Sequence, residues 1–416
     1  MIETLVIGGG ASGLIAAITA ARCGEQVTIL ERNRKPLKKL AITGNGRGNL
    51  LNSGELRYYG DSEFAINVMS NCSFDTVYSF LESLGISLTE ESEGRIYPSA
   101  YLASVAVEAM LFQAKKLGIT IINDTYVTKI TSDSTNFLID AETSIYPPTK
   151  LKSNGKVKNT APIETKQNHY YAKRIIVAVG GMATPVHGTD GSSYRLLENF
   201  HHNLTPLRPA LSALICNEIL FSKLTGQRMR ACLYLTNQNQ QIIHKTTGEI
   251  LFTDYGISGI AAMQLARFYM PNLTLHIDFT VALMGEVATP TELDKWLTAR
   301  LAHCENIEDC FIGCCTKTFA QALCAKAKSS EQSLLHCITD WTIPLIDVRG
   351  FEQSQVTAGG LVTEQFSSLT LESTLVPNLY AIGEVLNVDG DCGGYNLMFA
   401  FSSGMLAGSK GMLCPD

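Results

Sequence analysis

The chain is short of the features that mark membrane proteins and nucleic-acid-binding proteins. It has no apolar run long enough to cross a bilayer, so we expect no transmembrane helix and no membrane partner. Its 33 Lys and Arg are outnumbered by 39 Asp and Glu, and a net charge of −6 gives no electrostatic basis for binding nucleic acid. No basic leader precedes the first apolar residues, so we expect no signal peptide and a cytoplasmic location.

Metal-binding patterns of cysteine are missing, although cysteine itself is plentiful. The twelve cysteines are scattered, which in a cytoplasmic protein favours reduced thiols packed in the core. One cluster, Cys310, Cys314, Cys315 and Cys324, lacks the paired Cys-x-x-Cys arrangement and the nearby histidine pair of a zinc site. We therefore predict no bound metal.

The first thirty residues contain a complete nucleotide-binding pattern. A β-branched apolar run at 2–7 leads into a glycine-rich turn at 8–13, Gly-Gly-Gly-Ala-Ser-Gly. A helix-forming stretch and a second strand at 26–30 follow, and the strand ends on Glu31. Strand, Gly-x-Gly-x-x-Gly, helix, strand and acid in this order predict a Rossmann-like dinucleotide-binding unit.

Each part of this pattern has a physical role. Gly8 allows the tight turn, Gly10 lets the backbone approach a pyrophosphate, and Gly13 lets the helix pack closely on the sheet. The free N–H groups and the positive dipole end of the helix then face the phosphates. Glu31 is placed to accept hydrogen bonds from a ribose diol.

The rest of the chain predicts an α/β protein with an insertion. Residues 175–181 form a buried strand that ends on two glycines, where ligands approach open α/β sheets. Strand-like runs at 210–216, 231–236 and 273–279 and a mainly helical stretch then change the character of the chain. We expect a dinucleotide-binding domain formed by residues 1–195 and 346–416. A substrate or cap domain of mixed β and helical structure would be inserted at 196–345.

Three local patterns make specific predictions. Apolar spacing predicts a helix over 73–84, capped by Ser73 or Asp75. Thr291 is a candidate cap for the helix through Trp296. The stretch 147–166 is polar and short of large apolar residues, so we expect a mobile excursion between two strands.

Three longer motifs carry a resemblance to a known family. They are Thr43-Gly44-Asn45-Gly46-Arg47-Gly48-Asn49-Leu50, the stretch 248–259 (Gly-Glu-Ile-Leu-Phe-Thr-Asp-Tyr-Gly-Ile-Ser-Gly), and Val356-Thr357-Ala358-Gly359-Gly360 with 383–397. Together with Val6 to Leu14, they resemble the aminoacetone-oxidase-like FAD-dependent oxidoreductases, which include a bile-acid-reductase type. The resemblance covers essentially the whole chain. It implies a two-dinucleotide-binding-domain flavoprotein in which FAD lies across residues from both ends of the chain.

The resemblance also implies where FAD binds. Glu31 would hold the adenosine ribose, Val127 would meet the adenine through its backbone, and the loop from Lys39 to Asn49 would follow the pyrophosphate and the flavin. Residues 391–397 would lie at the ribityl chain and the isoalloxazine. The full set of cofactor-binding residues expected from the pattern and the resemblance is Gly8, Gly10, Ala11, Ser12, Gly13, Glu31, Arg32, Lys39, Gly44, Gly46, Arg47, Asn49, Val127, Gly180, Gly383, Glu384, Asp391, Gly394, Asn396 and Leu397.

The chain departs from the family at Gly48, where family members usually carry cysteine. If that cysteine serves catalysis in the family, its loss puts the same chemistry in doubt here. No Cys-x-x-x-x-Cys occurs near residue 48 either, so a disulfide reductase is not expected. The catalytic residues stay unassigned, with Tyr395, Tyr255 and His187 as candidates for a general acid.

The predicted function is an FAD-dependent oxidoreductase that acts on a small organic molecule by hydride transfer through the flavin N5. NAD(P)H docked transiently, or oxygen, would be the second substrate, because no second Gly-x-Gly-x-x-Gly unit occurs at 196–345. A helix beginning near Asn396 would stabilise charge on the flavin. Two alternatives remain: a flavin-containing RNA-modifying or RNA-binding protein, which the acidic balance disfavours, and a flavin sensor without turnover.

Overall fold

The computed structural model describes residues 1–133, 135–147, 161–285 and 289–413. The chain forms two compact units, Met1–Arg208 with Val356–Asp416, and Pro209–Gln355. The first unit extends beyond the predicted boundary at residue 195, because Leu196 and Leu197 are buried in its apolar core. The second unit extends beyond residue 345, because Val348 is buried in the core of that unit.

Twenty strands and twelve α-helices build these units. In chain order the strands are β1 (Ile2–Ile7), β2 (Val27–Leu30), β3 (Leu51–Asn52), β4 (Tyr58–Gly60), β5 (Leu88–Glu90), β6 (Arg95–Pro98), β7 (Thr120–Ile122), β8 (Thr125–Ser132), β9 (Phe137–Ile145), β10 (Glu164–Val177), β11 (Arg208–Ala210), β12 (Leu214–Cys216), β13 (Arg228–Thr236), β14 (Ile242–Thr253), β15 (Gly256–Ser258), β16 (Thr274–Asp278), β17 (Trp341–Val348), β18 (Val356–Ala358), β19 (Leu379–Ala381) and β20 (Val388–Gly390). The helices are α1 (Ala11–Arg22), α2 (Ser62–Asn71), α3 (Phe74–Ser83), α4 (Ala103–Lys116), α5 (Arg195–Glu198), α6 (Phe221–Leu224), α7 (Ile260–Leu265), α8 (Thr280–Met284), α9 (Pro290–Leu301), α10 (Lys317–Ser330), α11 (Leu334–Thr339) and α12 (Tyr395–Gly408). These counts refer to the described ranges.

The first unit is built on a sheet with the order β7-β2-β1-β10-β9-β8, to which β19 is added beside β10. The pairs β2–β7, β1–β2, β1–β10 and β10–β19 are parallel, and β8–β9 and β9–β10 are antiparallel. The parallel strands are short apolar runs, as expected for strands that are covered on both faces. This is the Rossmann-type arrangement predicted from the first thirty residues.

Strand β10 belongs to both parts of this sheet. Its first half pairs antiparallel with β9, and its second half, from Ala172 to Val177, pairs parallel with β1. Residues 164–166 of the predicted excursion therefore form regular strand, paired with 143–145. The prediction was wrong at this end, because these polar residues are exposed and carry no apolar signal. Residues 148–160 of the predicted excursion lie outside the described residues.

Helix α12 packs closely against α1. Both helices are rich in small residues, and every residue from Ser12 to Ala20 is buried. A Cβ at Gly404 would lie 2.6 Å from the carbonyl oxygen of Ser12, and one at Gly408 would lie 2.6 Å from that of Ala16. Glycine spaced by four residues thus allows the two backbones to approach each other.

The second unit is organised around a closed barrel with the strand order β12-β15-β14-β13-β16-β17. The alternating residues Leu233 and Leu235 of β13, and Leu275 and Ile277 of β16, are fully buried. Strands β14 and β17 were not predicted, because their pairing depends on distant segments. The mixed β and helical character of the unit agrees with the sequence.

The predicted helix over 73–84 is α3, and the Ser73 hydroxyl accepts a hydrogen bond from the Thr76 N–H at 3.3 Å. The predicted cap Thr291 was wrong. Helix α9 is capped by Thr289, which forms a capping box with Glu292, while Pro290 occupies the first helical position. In the described part of the chain, no helix is long and apolar enough to cross a membrane.

The contact between α1 and α12 generates a first prediction. Gly404→Val should destabilise the first unit by about 1–3 kcal/mol, because the side chain would push α12 away from the Ser12 carbonyl. We would measure urea unfolding and FAD content. Gly350→Val is the control, since a Cβ there has no atom within 4 Å. Equal stability of the two variants would contradict the close packing.

A buried ion pair generates a second prediction. Arg174, 3% exposed, contacts Glu25 through its Nη1 at 2.9 Å and donates to the Ala407 carbonyl at the end of α12. Arg174→Met should cost about 1–3 kcal/mol, because Glu25 and the Ala407 carbonyl would lose a buried donor, while Lys410 Nζ still contacts Glu25 at 2.7 Å. Arg228→Met, which breaks the exposed pair with Glu249, should cost less than about 1 kcal/mol. Chemical denaturation of both variants tests the difference.

Candidate functional site

The turn between β1 and α1 has the geometry of a phosphate-binding loop. A Cβ at Gly8, where φ is +104°, would collide with the Ala178 carbonyl, and one at Gly13 would collide with the Gly8 carbonyl. A Cβ at Gly10 would meet nothing within 4 Å. Gly10 is the N-cap of α1 and provides no side-chain cap. The helix therefore presents its first N–H groups, those of Ala11 and Ser12 among them, next to open space, which suits an anionic group.

Glu31 is held rigidly at the end of β2. It is 5% exposed, and its Oε2 accepts the Gly9 N–H at 2.7 Å. Its Oε1 accepts the backbone N–H of Asn33 at 2.7 Å and the Asn33 side chain at 2.8 Å. The bond to Gly9 ties the carboxylate to the glycine-rich turn. A carboxylate has more acceptor sites than these three bonds use, so Glu31 retains capacity for a ribose hydroxyl.

Arg32, which was expected to contact the cofactor, forms an ion pair with Asp190 in the structure. Its guanidinium pairs with both carboxylate oxygens of Asp190, at 2.8 and 3.1 Å, and lies over the Tyr126 ring. The guanidinium holds the pKa of the Asp190 carboxyl well below its usual range. Arg32 thus fixes the turn after β10 instead of facing the open space at Gly10.

Two predicted residues shape the strand ends around Glu31. Val127 is buried in β8, at a bulge opposite β9. Two residues earlier in the same strand, the Thr125 N–H donates to the Glu31 carbonyl at 2.8 Å. Val127 therefore lies on the strand that contacts the Glu31 backbone. Gly180 has φ +73°, and a Cβ there would lie 2.8 Å from Thr189 Cγ2, so this glycine is required by the turn itself.

A charged network joins the two ends of the chain. Lys39 Nζ contacts Glu384 Oε2 at 2.8 Å, and Glu384 Oε1 accepts the Thr357 N–H at 2.9 Å. The Thr357 hydroxyl in turn accepts the N–H groups of Met182 at 2.8 Å and Ala183 at 3.0 Å. Lys39 therefore neutralises the Glu384 carboxylate.

The loop 43–49 depends on left-handed backbone. Gly44, Asn45, Gly46 and Gly48 all have positive φ. At Gly48, where φ is +79°, a Cβ would lie 3.0 Å from Ala103 Cα, so the cysteine usual in the family would be strained here. A Cβ at Gly46 meets nothing within 4 Å, and this part of the loop is open.

The side chains of this loop divide between two roles. Arg47 pairs with Glu91 at 2.7 Å and lies 4.6 Å from the ring centres of both Tyr97 and Tyr101. It therefore fixes the loop to neighbouring aromatic side chains, and its role as a cofactor contact stays a prediction. Asn49 Oδ1 is buried and has no hydrogen-bond partner among the described residues. It is an acceptor available to a ligand.

The segment 383–397 returns to the N-terminal turn. A Cβ at Gly383 would lie 2.7 Å from Ser12 Oγ, so this turn lies directly at the start of α1. The Asn396 side chain exchanges hydrogen bonds with Gly390, accepting its N–H at 2.8 Å and donating to its carbonyl at 2.9 Å. Asp391 is buried, and Leu397 packs at the edge of the core.

The surrounding backbone requires glycine at position 394. Gly394 has φ +106°, and a Cβ would collide with the Leu51 carbonyl and lie 3.0 Å from Asn49 Oδ1. Protein backbone alone therefore excludes a side chain here, and a contact of Gly394 with the flavin stays a prediction. Gly394 is nonetheless the N-cap of α12 and provides no side-chain cap, so this helix also presents free N–H groups.

The structure therefore brings several of the predicted residues together. Ser12 and Gly383 meet at the start of α1, directly after Gly10, and Asn49 meets Gly394 at the start of α12. Open space at a helix N-terminus and a buried orphan acceptor fit a cofactor with a pyrophosphate and hydrogen-bond donors.

Two further residues belong to the framework of this site. Thr357 lies in the motif 356–360, but no local sequence pattern predicts that its hydroxyl contacts the turn after β10. Asn52 is 2% exposed and donates to the carbonyls of Gly393 at 2.8 Å and Glu93 at 3.1 Å. Among the described residues, no group of His, Cys, Asp and Glu is arranged to hold a metal ion.

Comparison with known proteins identifies the family. The family model of the HI0933-like protein Rossmann domain matches residues 2–151 and 138–410. The chain is 32% identical over 429 residues to a 3-dehydro-bile acid delta(4,6)-reductase of Clostridium scindens, covering 97% of each chain. The chain belongs to the HI0933-like family.

Other relatives of this HI0933-like protein have a different name. It is 24% identical over 423 residues to a ribosomal RNA dihydrouridine synthase of Escherichia coli and 25% identical over 414 residues to that of Haemophilus influenzae, with 96% of each chain covered in both cases. The predicted family and Rossmann-type fold are confirmed. The protein is an FAD-dependent oxidoreductase, as predicted.

The ion pair of Lys39 generates a third prediction. Lys39→Met should weaken FAD binding, because Glu384 would lose the cation that neutralises it and would repel an anionic cofactor. In the double variant with Glu384→Gln part of this loss should be recovered, with a coupling of about 1 kcal/mol. FAD dissociation constants by fluorescence measure the cycle. Lys38→Met is the control, since Lys38 is exposed and donates to the Val186 carbonyl at 2.6 Å. Additive effects would contradict the proposed coupling.

Proposed function

We propose that FAD binds with its pyrophosphate at the start of α1 and its adenosine ribose on Glu31. The observation that carries this proposal is the open space at Gly10, beside uncapped N–H groups and next to a fixed carboxylate. Gly44, Gly46 and Asn49 would then follow the flavin, and Asp391, Asn396 and Leu397 would surround its far end. When bound, FAD supplies hydride chemistry, and the protein supplies orientation and charge.

We further propose that the enzyme reduces a carbon–carbon double bond conjugated to a carbonyl group. The names of the relatives in both groups describe reactions of this kind, although their substrates differ. A conjugated carbonyl accepts the charge that develops when a hydride adds to the double bond. The uncapped N-terminus of α12 provides a positive end for stabilising such charge. A nicotinamide dinucleotide would reduce the flavin.

A small organic substrate is favoured over RNA by charge. The second unit, 209–355, contains eleven Lys and Arg against fourteen Asp and Glu, and the whole chain has a net charge of −6. Proteins that bind RNA through its phosphates usually carry a basic surface. The relatives named as ribosomal RNA dihydrouridine synthases nevertheless make reduction of RNA the second candidate.

The function is tested by separating the two half-reactions. We expect NADH or NADPH to reduce the bound flavin anaerobically, and a panel of conjugated enones to reoxidise it in stopped flow. A ribosomal RNA fragment should leave the flavin reduced, and heparin should not retain the protein at low salt. Reoxidation by RNA alone would favour the second candidate, and reoxidation by oxygen alone would make the protein an oxidase.

A further inference from the structure

Tyr395 begins α12, and its phenol ring is held in one orientation. The Tyr58 hydroxyl donates to the Tyr395 carbonyl at 3.1 Å, and the two rings meet edge to face, with centres 6.1 Å apart and an angle of 88°. A Cβ at Gly390 would lie 2.7 Å from Tyr395 Cβ, so glycine there makes room for the side chain. Tyr395 as a whole is 6% exposed. Backbone and ring are therefore both fixed.

The hydroxyl at the end of this fixed ring points to an exposed loop. A Cβ at Gly54 would lie 3.6 Å from Tyr395 Oη, and residues 53–57 are all exposed. Among the residues that the structure describes, the Tyr395 hydroxyl has no hydrogen-bond partner, whereas the buried Tyr58 hydroxyl has one. Buried phenols normally find a partner. A fixed ring with a free hydroxyl near solvent is therefore suited to exchanging protons.

Burial and nearby charged groups together determine the pKa of the Tyr395 phenol. Burial has the largest effect and raises the pKa of Tyr395, and the carboxylates of Asp391 and Glu55 raise it further. The guanidinium groups of Arg57 and Arg95 lower it. The balance keeps the phenol protonated at neutral pH, as a proton donor requires. The two guanidinium groups also lower the energy of the phenolate that is left after donation.

The ring lies at the entrance to α12, where the flavin is proposed to bind. A Cβ at Gly393 would lie 3.7 Å from Tyr395 Cε2 and 3.8 Å from Arg95 Nε. Tyr395 and Arg95 therefore flank the two glycines that lead into the uncapped helix. This position would place the phenol beside a substrate stacked on the flavin.

We propose that Tyr395 is the general acid that completes reduction of the double bond; this rests on the proposed function. A hydride, with its electron pair, would be supplied by FAD when bound and reduced, and would form the new C–H bond at the β carbon. The π electrons would move to the carbonyl oxygen and return as the α carbon takes the Tyr395 proton. The phenolate would then regain a proton from solvent at the exposed loop 53–57, so that each turnover consumes one hydride and one proton. A nicotinamide dinucleotide is the ultimate reductant.

The test compares Tyr395→Phe with Tyr78→Phe. Tyr78 lies in α3, its ring packs against Phe74, and its hydroxyl has no partner in the described ranges, so it is a control outside the proposed site. Tyr395→Phe should keep FAD binding and flavin reduction by NAD(P)H within about twofold of wild type. Reoxidation by the enone should slow by about 10²–10⁴-fold. Tyr78→Phe should reoxidise at the wild-type rate.

Two further measurements distinguish a proton donor from a structural tyrosine. The wild-type reoxidation rate should fall at high pH as the phenol ionises, and the residual rate of Tyr395→Phe should lack this fall. Ultraviolet difference titration of wild type against Tyr395→Phe, both without FAD, should show a phenol that ionises above the usual pH. A phenol that is already ionised at neutral pH would overturn the assignment.

The outcomes separate this inference from the function on which it rests. If no enone reoxidises the wild-type flavin, the proposed function itself fails. If wild type is reoxidised and Tyr395→Phe is as fast to within about threefold, only the role of Tyr395 is overturned. Loss of rate in Tyr78→Phe alone would likewise overturn it.

Discussion

The close packing of α12 on α1 is the constraint on which the site depends. Two glycines, Gly404 and Gly408, face carbonyl oxygens of α1 at distances that no side chain allows. This contact sets the position of the whole C-terminal segment relative to the nucleotide-binding turn. Gly383 reaches Ser12 for the same reason, and its N–H donates to the Ser403 hydroxyl of α12 at 3.1 Å. A larger residue at either position of α12 would alter the site without touching it.

The two helices also present the same electrostatic feature. Each begins at a glycine, Gly10 or Gly394, and neither glycine provides a side-chain cap. A side-chain cap would satisfy some of the N–H groups that a bound anion or a developing negative charge requires. The free positive ends therefore fit a cofactor with a pyrophosphate at one end and a reactive ring at the other. Lys39 completes this arrangement by neutralising the half-buried Glu384 carboxylate.

The parts of the fold that the sequence predicted are those with a local cause. The glycine spacing at 8–13, the apolar run of β1 and the cap at Ser73 each depend on neighbouring residues, and each has the predicted form. The barrel strands β14 and β17 depend on pairing across long stretches of chain, which no local pattern reports. Side-chain partners were the least accessible: Arg32 and Arg47 carry the right charge for phosphates, yet each is already paired with a nearby carboxylate.

The physical reason for a glycine at a given position could not be predicted from the sequence either. Gly10 and Gly394 both occur in turns before helices, and both were expected to bind the cofactor. Only the structure distinguishes the open space at Gly10 from the Leu51 carbonyl that excludes a side chain at Gly394. Gly48 is a third case, because its left-handed backbone and its closeness to Ala103 favour glycine at this position.

The contact of Gly383 and α12 with a turn far earlier in the chain has a consequence for biosynthesis. The turn at Gly8–Gly13 leaves the ribosome long before Gly383 and α12 do. Until α12 is made, no helix covers the small residues of α1, and the segment around Gly383 has not joined the nucleotide-binding turn. Contacts between segments so far apart in sequence form slowly. Cofactor capture should accordingly be a late event, and a nascent chain stalled before α12 should be colourless.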